Sequence, residues 1–203
     1  PVDWTPRYGA SSGDYTITDS GDSENLVLFV GSMGSQEGYT IDTIDDIMED
    51  VESVIHWRPT SNSGAQSPLL SARGYQDGSE RLYAVGTGIV YSNFRGAWQT
   101  IYYARLYNGG LTTLEPESFE TNLGSSRNSD VLTFGVKART QIIGTTLRSR
   151  LWIANDTEPS GWDFELTNDI LIHSGLTGVY NGIQNNNEIL SVDITNDPSR
   201  FSS

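Results

Sequence analysis

Between Leu147 and Gly182 the chain alternates apolar and polar residues with a period of two, and this stretch restricts the fold more than any other. In LRSRLWI, Leu147, Ser149, Leu151 and Ile153 fall on one face, and Arg148, Arg150 and Trp152 fall on the other. WDFELT repeats the pattern, with Trp162, Phe164 and Leu166 set against Asp163, Glu165 and Thr167. Successive side chains of a strand point to opposite faces, so this is the signature of half-buried antiparallel strands. Between them, NDTEPSG (155–161) is dense in turn formers and holds a proline, which predicts a chain reversal. SGLTGVYNG supplies glycines where a third strand passes close to its neighbours. Arg148 and Arg150 are expected to pair with Asp163 and Glu165 across strands, at a few tenths of a kcal/mol (roughly) per pair.

The rest of the chain reads the same way. DYTITD (14–19) is a short alternating strand, and NLVLFVGS (25–32) is an apolar run that suits a strand buried on both faces. TIDTIDDIMED (40–50) is ambiguous, and the spacing of Ile41, Ile44, Ile47 and Met48 fits a short surface helix. VESVIHWRPT (51–60) places Val51, Ser53, Ile55 and Trp57 on one side, and Pro59 ends it. TSNSGAQSP is a flexible connection, followed by strands at 68–75 and 80–94. Asn108-Gly109 centres the next hairpin, because a tight primed turn needs positive φ at both central residues. VLTFGVKART (131–140) is read as a strand with Leu132, Phe134, Val136 and Ala138 inward, and EILSVDIT (188–195) as the last strand. Ten or more short strands imply two packed antiparallel sheets. The expectation is an all-β chain, a single two-sheet antiparallel jelly-roll sandwich over residues 1–203.

Composition narrows function chiefly by exclusion. The net charge is −14, and residues 1–60 carry −10 of it. Such a surface repels phosphate backbones, so no nucleic-acid partner is expected. No run of eighteen apolar residues is present, so no membrane span is expected. With no cysteine there are neither disulfides nor thiolate metal sites. PVDWTPRYG has neither a basic region nor an apolar stretch, and no secretory leader is expected. Lys137 is the sole lysine beside eleven arginines, whose planar fork suits protein interfaces.

Several segments together resemble concanavalin-A-like (lectin and glucanase) jelly-roll modules of the kind found in tailed-bacteriophage virion proteins. They are VDWTPRYG, MEDVESVIHWRPTS, YYARLYNGGLTTLEPESF and the run from LRSRLW through EPSGW to SGLTGVY. The resemblance implies a concanavalin-A-like sandwich in which Trp152 and Trp162 are framework, packed in the core or between the sheets. It also implies a missing strand, since only Pro1 and Val2 precede Asp3-Trp4-Thr5. An edge near EILSVDIT or the Trp4 segment is then expected to be open, and to be covered by another subunit.

Candidate chemistry is sparse. The glucanases of this fold carry Glu-x-Asp-x-x-Glu on one strand, and Glu49-Asp50-Val51-Glu52 lacks that spacing. Glu52 and His56 share a face, but with His56 and His173 the only histidines, triads and metal clusters have little material. No enzymatic activity is expected. Asp42, Asp45 and Asp46 are the calcium candidates, although their spacing matches no twelve-residue calcium loop and a solvated acidic face explains them as well. Tyr75, Tyr91, Phe94 and Tyr180 are the aromatic candidates for stacking on a sugar.

The function expected from these features is a structural protein of a bacteriophage particle: a capsid decoration, fibre or tail-appendage module. It would contact other virion proteins or further copies of itself, and host-surface glycan in an adhesion role. A secreted carbohydrate-binding module is the alternative, and a glycoside hydrolase is disfavoured by the failed acid motif.

Overall fold

A computed structural model describes residues 4–7, 37–41, 49–66, 68–76, 80–108, 111–169, 175–181 and 187–196. The predicted strands at 14–19 and 25–32, the ambiguous segment at 42–48 and the calcium candidates Asp42, Asp45 and Asp46 lie outside the described residues.

The described strands form two antiparallel sheets. One has the order β1 (Trp4–Arg7), β2 (Glu37–Ile41), β12 (Leu176–Asn181), β5 (Pro68–Gln76), β6 (Glu80–Ser92), β7 (Ala97–Asn108) and β8 (Leu111–Asn122), with β4 (Ala65–Gln66) paired beside β6. The other has the order β11 (Phe164–Thr167), β10 (Thr146–Ile153), β9 (Val136–Ile143), β3 (Val51–Pro59) and β13 (Asn187–Thr195). The chain crosses between sheets after β2, after β3, after β8, after β11 and after β12, and those crossings make the sandwich a jelly roll. The predicted fold class is therefore the observed one.

Alternation selects the buried faces. Val51, Ser53, Ile55 and Trp57 of β3 point inward, as do Leu147, Ser149, Leu151 and Ile153 of β10. Ile55, Trp57, Ile89, Trp98, Val136 and Leu151 form one apolar cluster. Val51, Tyr83, Val85, Ile142 and Leu147 form a second, against which Phe164 and Leu166 pack. Between the two sheets lies a buried hydroxyl bridge. Thr87 Oγ1 donates to Ser149 Oγ at 2.7 Å, and Thr140 Oγ1 lies 3.1 Å from the same oxygen. Each hydroxyl is satisfied by another, so the core tolerates them.

The predicted strand at 131–140 is corrected. Residues 128–134 form a helix, α1 (Asn128–Phe134), and β9 starts only at Val136. Val131 is buried, whereas Phe134 is 43% exposed. Gly135 ends the helix at φ 77°, ψ −168°, a region open essentially to glycine alone. A Cβ at Gly135 would also land on the carbonyl oxygen of Trp57. The helix end is thus pressed against β3, and only glycine fits the contact.

The outermost described strands each carry a feature that discourages further pairing. β1 has four residues and contains Pro6, and β8 contains Pro116 and pairs with β7 through three register shifts. β11 has four residues and carries Glu165. β13 is bulged at Leu190, between the pairs Ile189–Trp57 and Ser191–His56. Short strands, prolines, charges and bulges are the standard protections of sheet edges. The Trp4 and EILSVDIT segments do form sheet edges among the described residues. Both are poorly built for receiving another strand.

Candidate functional site

On its outer face the five-stranded sheet carries two transverse rows, fixed by strand register. One row is Arg150, Arg139, Val54 and Asp193, and the next is Arg148, Gln141, Glu52 and Thr195. Arg139 and Arg150 stand side by side, and like charges directly opposite each other repel. The connection between β10 and β11 resolves this by folding back as a strap over the two arginines.

Glu158 of the strap accepts from Arg139 Nε at 2.6 Å and Nη2 at 3.1 Å, and from Arg150 Nε at 2.8 Å. Arg150 Nη1 also donates to the carbonyl of Ser160 at 3.2 Å, and its guanidinium lies 4.3 Å from the Trp162 ring centroid. Asp163 Oδ2 accepts the Leu151 N–H at 2.8 Å, which pins the strap's far end. Beneath it, Glu52 is only 3% exposed, with one carboxylate oxygen held by Arg139 and the other by Gln141.

Charge state follows from this packing. Burial alone would raise the Glu158 carboxyl, but the hydrogen bonds and charges of Arg139 and Arg150 hold it below its ordinary range. Burial works against the Arg139 cation, and Glu158 with Glu52 raises its pKa nonetheless. Asp163 is pushed up, because burial outweighs the Leu151 N–H and Arg150. His56 is pushed down, first by burial; its hydrogen bond to the Phe134 carbonyl opposes this, while Lys137 and Arg58 add to it.

Beside the network an open cleft of about 190 Å³ is lined by Glu52, Val54, Arg139, Asp193 and Thr195. In strand register Val54 stands between Arg139 on one neighbouring strand and Asp193 on the other. The arrangement offers a donor, an acceptor and an apolar surface within three adjacent strands. Nucleophilic chemistry has less to work with. His56 Nε2 is engaged by the Phe134 carbonyl at 2.8 Å, away from the Glu52 row. Asp50 Oδ1 accepts the Gly144 N–H at 2.7 Å. Among the described residues no group of three or more His, Asp or Glu side chains is placed to hold a metal ion.

The four aromatic candidates do not come together. Tyr75 pairs with Arg81 near the start of β6, and Tyr180 pairs with Leu69 of β5. Phe94 lies beyond the other end of β6, about 35 Å from Arg81 along the strand. Tyr91 is half-buried against the core, edge-on to Trp98 with ring centroids 5.3 Å apart. Phe94 alone projects, 98% exposed at the tip of the β6–β7 turn. That tip is tied down on two sides. Asn128 Nδ2 donates to the Gly96 carbonyl at 2.8 Å. On the other side the Tyr91 N–H reaches the Gly64 carbonyl at 2.8 Å, and Trp98 Nε1 reaches Asn62 Oδ1 at 3.1 Å. Exposed Asn93 and Arg95 flank Phe94 in the turn, and exposed Ser61, Asn62 and Ser63 belong to the loop tied to its base.

Two sequence expectations on this face need adjusting. Arg148 does pair with Glu165 at 2.7 Å, but Arg150 pairs with Glu158 rather than with Asp163. Trp162 is neither in a strand nor between the sheets: it is half-buried on the outer face, stacked on Arg150. Such a stacking contact is worth about 0.5–2 kcal/mol, short of what emptying a core site costs. Trp152 is buried, yet it falls in the outward row with Lys137 and His56.

No protein-family model matches the chain, and no curated protein matches it. Among solved structures it is similar to a functionally unknown protein from Saccharomyces cerevisiae, at 12% identity over 96% of this chain and 95% of that one, TM-score 0.49. It is also similar to the exoplasmic/lumenal domain of VIP36 in a Ca²⁺/Man-bound form, at 11% identity over 98% and 85%, TM-score 0.47. A lectin from Bauhinia forficata in complex with GalNAc is similar at 13% identity over 95% and 91%, TM-score 0.43. These are likenesses of overall fold, and no residue of the site is assigned from them.

Proposed function

We propose that this domain is a non-catalytic glycan-binding module displayed on a bacteriophage particle, where it serves as a decoration, fibre or tail-appendage part. The observation that carries glycan binding is Phe94, held almost fully exposed on a turn that is hydrogen-bonded from both flanks. Covering a phenylalanine gains about 1.5–3 kcal/mol, and a turn already ordered loses little entropy when it is covered. An aromatic face beside hydroxyl and amide groups suits the C–H face and hydroxyls of a pyranose. The non-catalytic part of the reading is supported by Glu52, whose two oxygens are committed to Arg139 and Gln141.

The particle setting is supported by the segments resembling phage virion modules. It also fits the blunted sheet edges, which suit a domain meeting its partners through faces and loop ends. The test is retention of the isolated domain on a panel of immobilised glycans, with Phe94→Ala as the variant. Retention of the parent, lost by about tenfold or more in Phe94→Ala at an unchanged melting temperature, is the expected result. A domain retained on no glycan overturns the reading, and a variant that binds like the parent removes the Phe94 tip as its site. Finding the chain at fixed stoichiometry in purified particles tests the setting separately.

A further inference from the structure

We propose that the cleft on the outer face of the five-stranded sheet is a second ligand site, and that it takes a single neutral pyranose ring. The proposal rests on the reading that the domain binds glycans, but it uses residues remote from the Phe94 tip and on the other sheet. The cleft spans three strands in register: Arg139 of β9, Val54 of β3 and Asp193 of β13. Neighbouring strands lie about 4.8 Å apart, so the backbones that carry Arg139 and Asp193 are roughly twice that far apart, with Val54 on the strand between them. One sugar ring fits such a gap lying flat, with its apolar face on Val54 and its hydroxyls directed at the two walls.

The walls are set before any ligand arrives. Three of the five N–H bonds of Arg139 are engaged by Glu52 and Glu158 among the described residues, which leaves two for a ligand oxygen. Those carboxylates hold the guanidinium plane, and Gln141 in turn holds Glu52. Asp193 is exposed on the rim, and a carboxylate has about four acceptor positions, so it can receive vicinal hydroxyls beside any other partner. Thr195 adds a hydroxyl that both donates and accepts. Directional donors and acceptors around a small apolar floor are what a polar ligand site needs.

Size and charge select the ligand. At about 190 Å³ the cleft falls below the roughly 300–1,000 Å³ typical of sites for drug-sized ligands, and it suits one ring rather than a chain. Arg139 and Arg150 are balanced by Glu52 and Glu158, and Asp193 then leaves the surroundings acidic. On a chain of net charge −14, a uronic, sialic or sulfated sugar would be repelled. The class that remains is the neutral hexopyranoses.

The test is a titration of isotope-labelled protein with methyl pyranosides of glucose, galactose, mannose and N-acetylglucosamine, followed by amide chemical shifts. Shifts at Val54, Asp193 and Thr195 are expected. They should weaken roughly tenfold in affinity in Asp193→Ala, disappear in Val54→Arg, and persist in Phe94→Ala. Asp193 is on the rim, so its variant keeps the test decisive even if Val54→Arg fails to fold. Shifts confined to residues 61–63 and 92–96, with Asp193→Ala titrating like the parent, overturn the cleft site and leave the glycan reading standing. No shift with any sugar overturns both.

Discussion

The two faces of the five-stranded sheet are built from the same strands, yet they are held by different physics. On the inner face Ile55, Trp57, Val136, Ala138 and Leu151 pack against the opposite sheet, and burial of apolar area stabilises them. On the outer face Glu52, Gln141 and Arg150 are nearly as inaccessible, but with the half-buried Arg139 they are joined by charge-assisted hydrogen bonds and roofed by a strap that carries Glu158. The inner face therefore resists changes of shape, and the outer face resists changes of charge. The cleft lies where the outer network meets the β13 edge, on the side of Arg139 away from Arg150.

The comparison breaks most visibly at Gly135. Gly135→Ala places a side chain in a backbone region costing about 1–3 kcal/mol and drives it onto the Trp57 carbonyl. We expect a loss of roughly 3 kcal/mol or more, seen as a lower denaturant midpoint at unchanged slope. A midpoint within experimental error of the parent would show that α1 is not pressed against β3.

A charge change sharpens the comparison at intermediate cost. Glu52→Ala removes the acceptor shared by Arg139 and Gln141, and leaves buried donors without it. Arg139 keeps Glu158 and is partly open to solvent, so the expected loss is about 1–3 kcal/mol rather than the full cost of an isolated buried charge. On the same face, Glu165→Ala breaks a pair in which both side chains are more than a third exposed, and the expected change is within about 0.5 kcal/mol. Equal effects of the two variants would show that burial does not distinguish the network from an ordinary surface pair.

The inner face is legible in the sequence and the outer face much less so, for a reason that these residues make plain. Alternation at Val51–Trp57 and Leu147–Ile153 reports which side chains point inward, because it is a local property of each strand. Whether the outward set meets water depends on the strap. Glu158 sits in a turn-dense segment with no pattern, and its partner Arg139 is 19 residues earlier. No period in the sequence announces such a contact. Helix α1 was obscured differently: its VLTF run passes for a strand, although Asn-Ser-Asp before it and Gly135 after it are start and stop signals. Among the aromatic candidates, Phe94 could be named from its place in a turn, but its isolation from Tyr75 and Tyr180 required the register.

The smallest expected effect concerns protons on the outer face. His56 is depressed below its ordinary value of 6.5, so the folded state favours the neutral ring. Its contribution is fully present above 6.5 and is lost as pH falls from there through the folded value. Glu158, depressed below 4.5, behaves likewise in a lower window: its contribution is lost as pH falls below 4.5. Asp163 is raised above 3.8, so its contribution has the opposite sign; it is present below 3.8 and lost as pH rises through the folded value. In the acid range the two carboxyls therefore oppose each other, and a variant at His56 isolates the part of the slope that belongs to the ring. Around it stand Lys137 across β9, Arg58 on its own strand with Glu188 of β13 behind, and the Phe134 carbonyl of α1. Lys137 and Arg58 both disfavour a second cation, whereas the carbonyl tolerates one, and the half-exposed ring keeps the effect modest. Denaturant midpoints measured across pH 7 to 5 should fall gently in the parent, and His56→Gln should flatten that slope while keeping a donor for Phe134. An equal slope in the variant would move the proton-linked group elsewhere and leave the outer face, in this window, insensitive to pH.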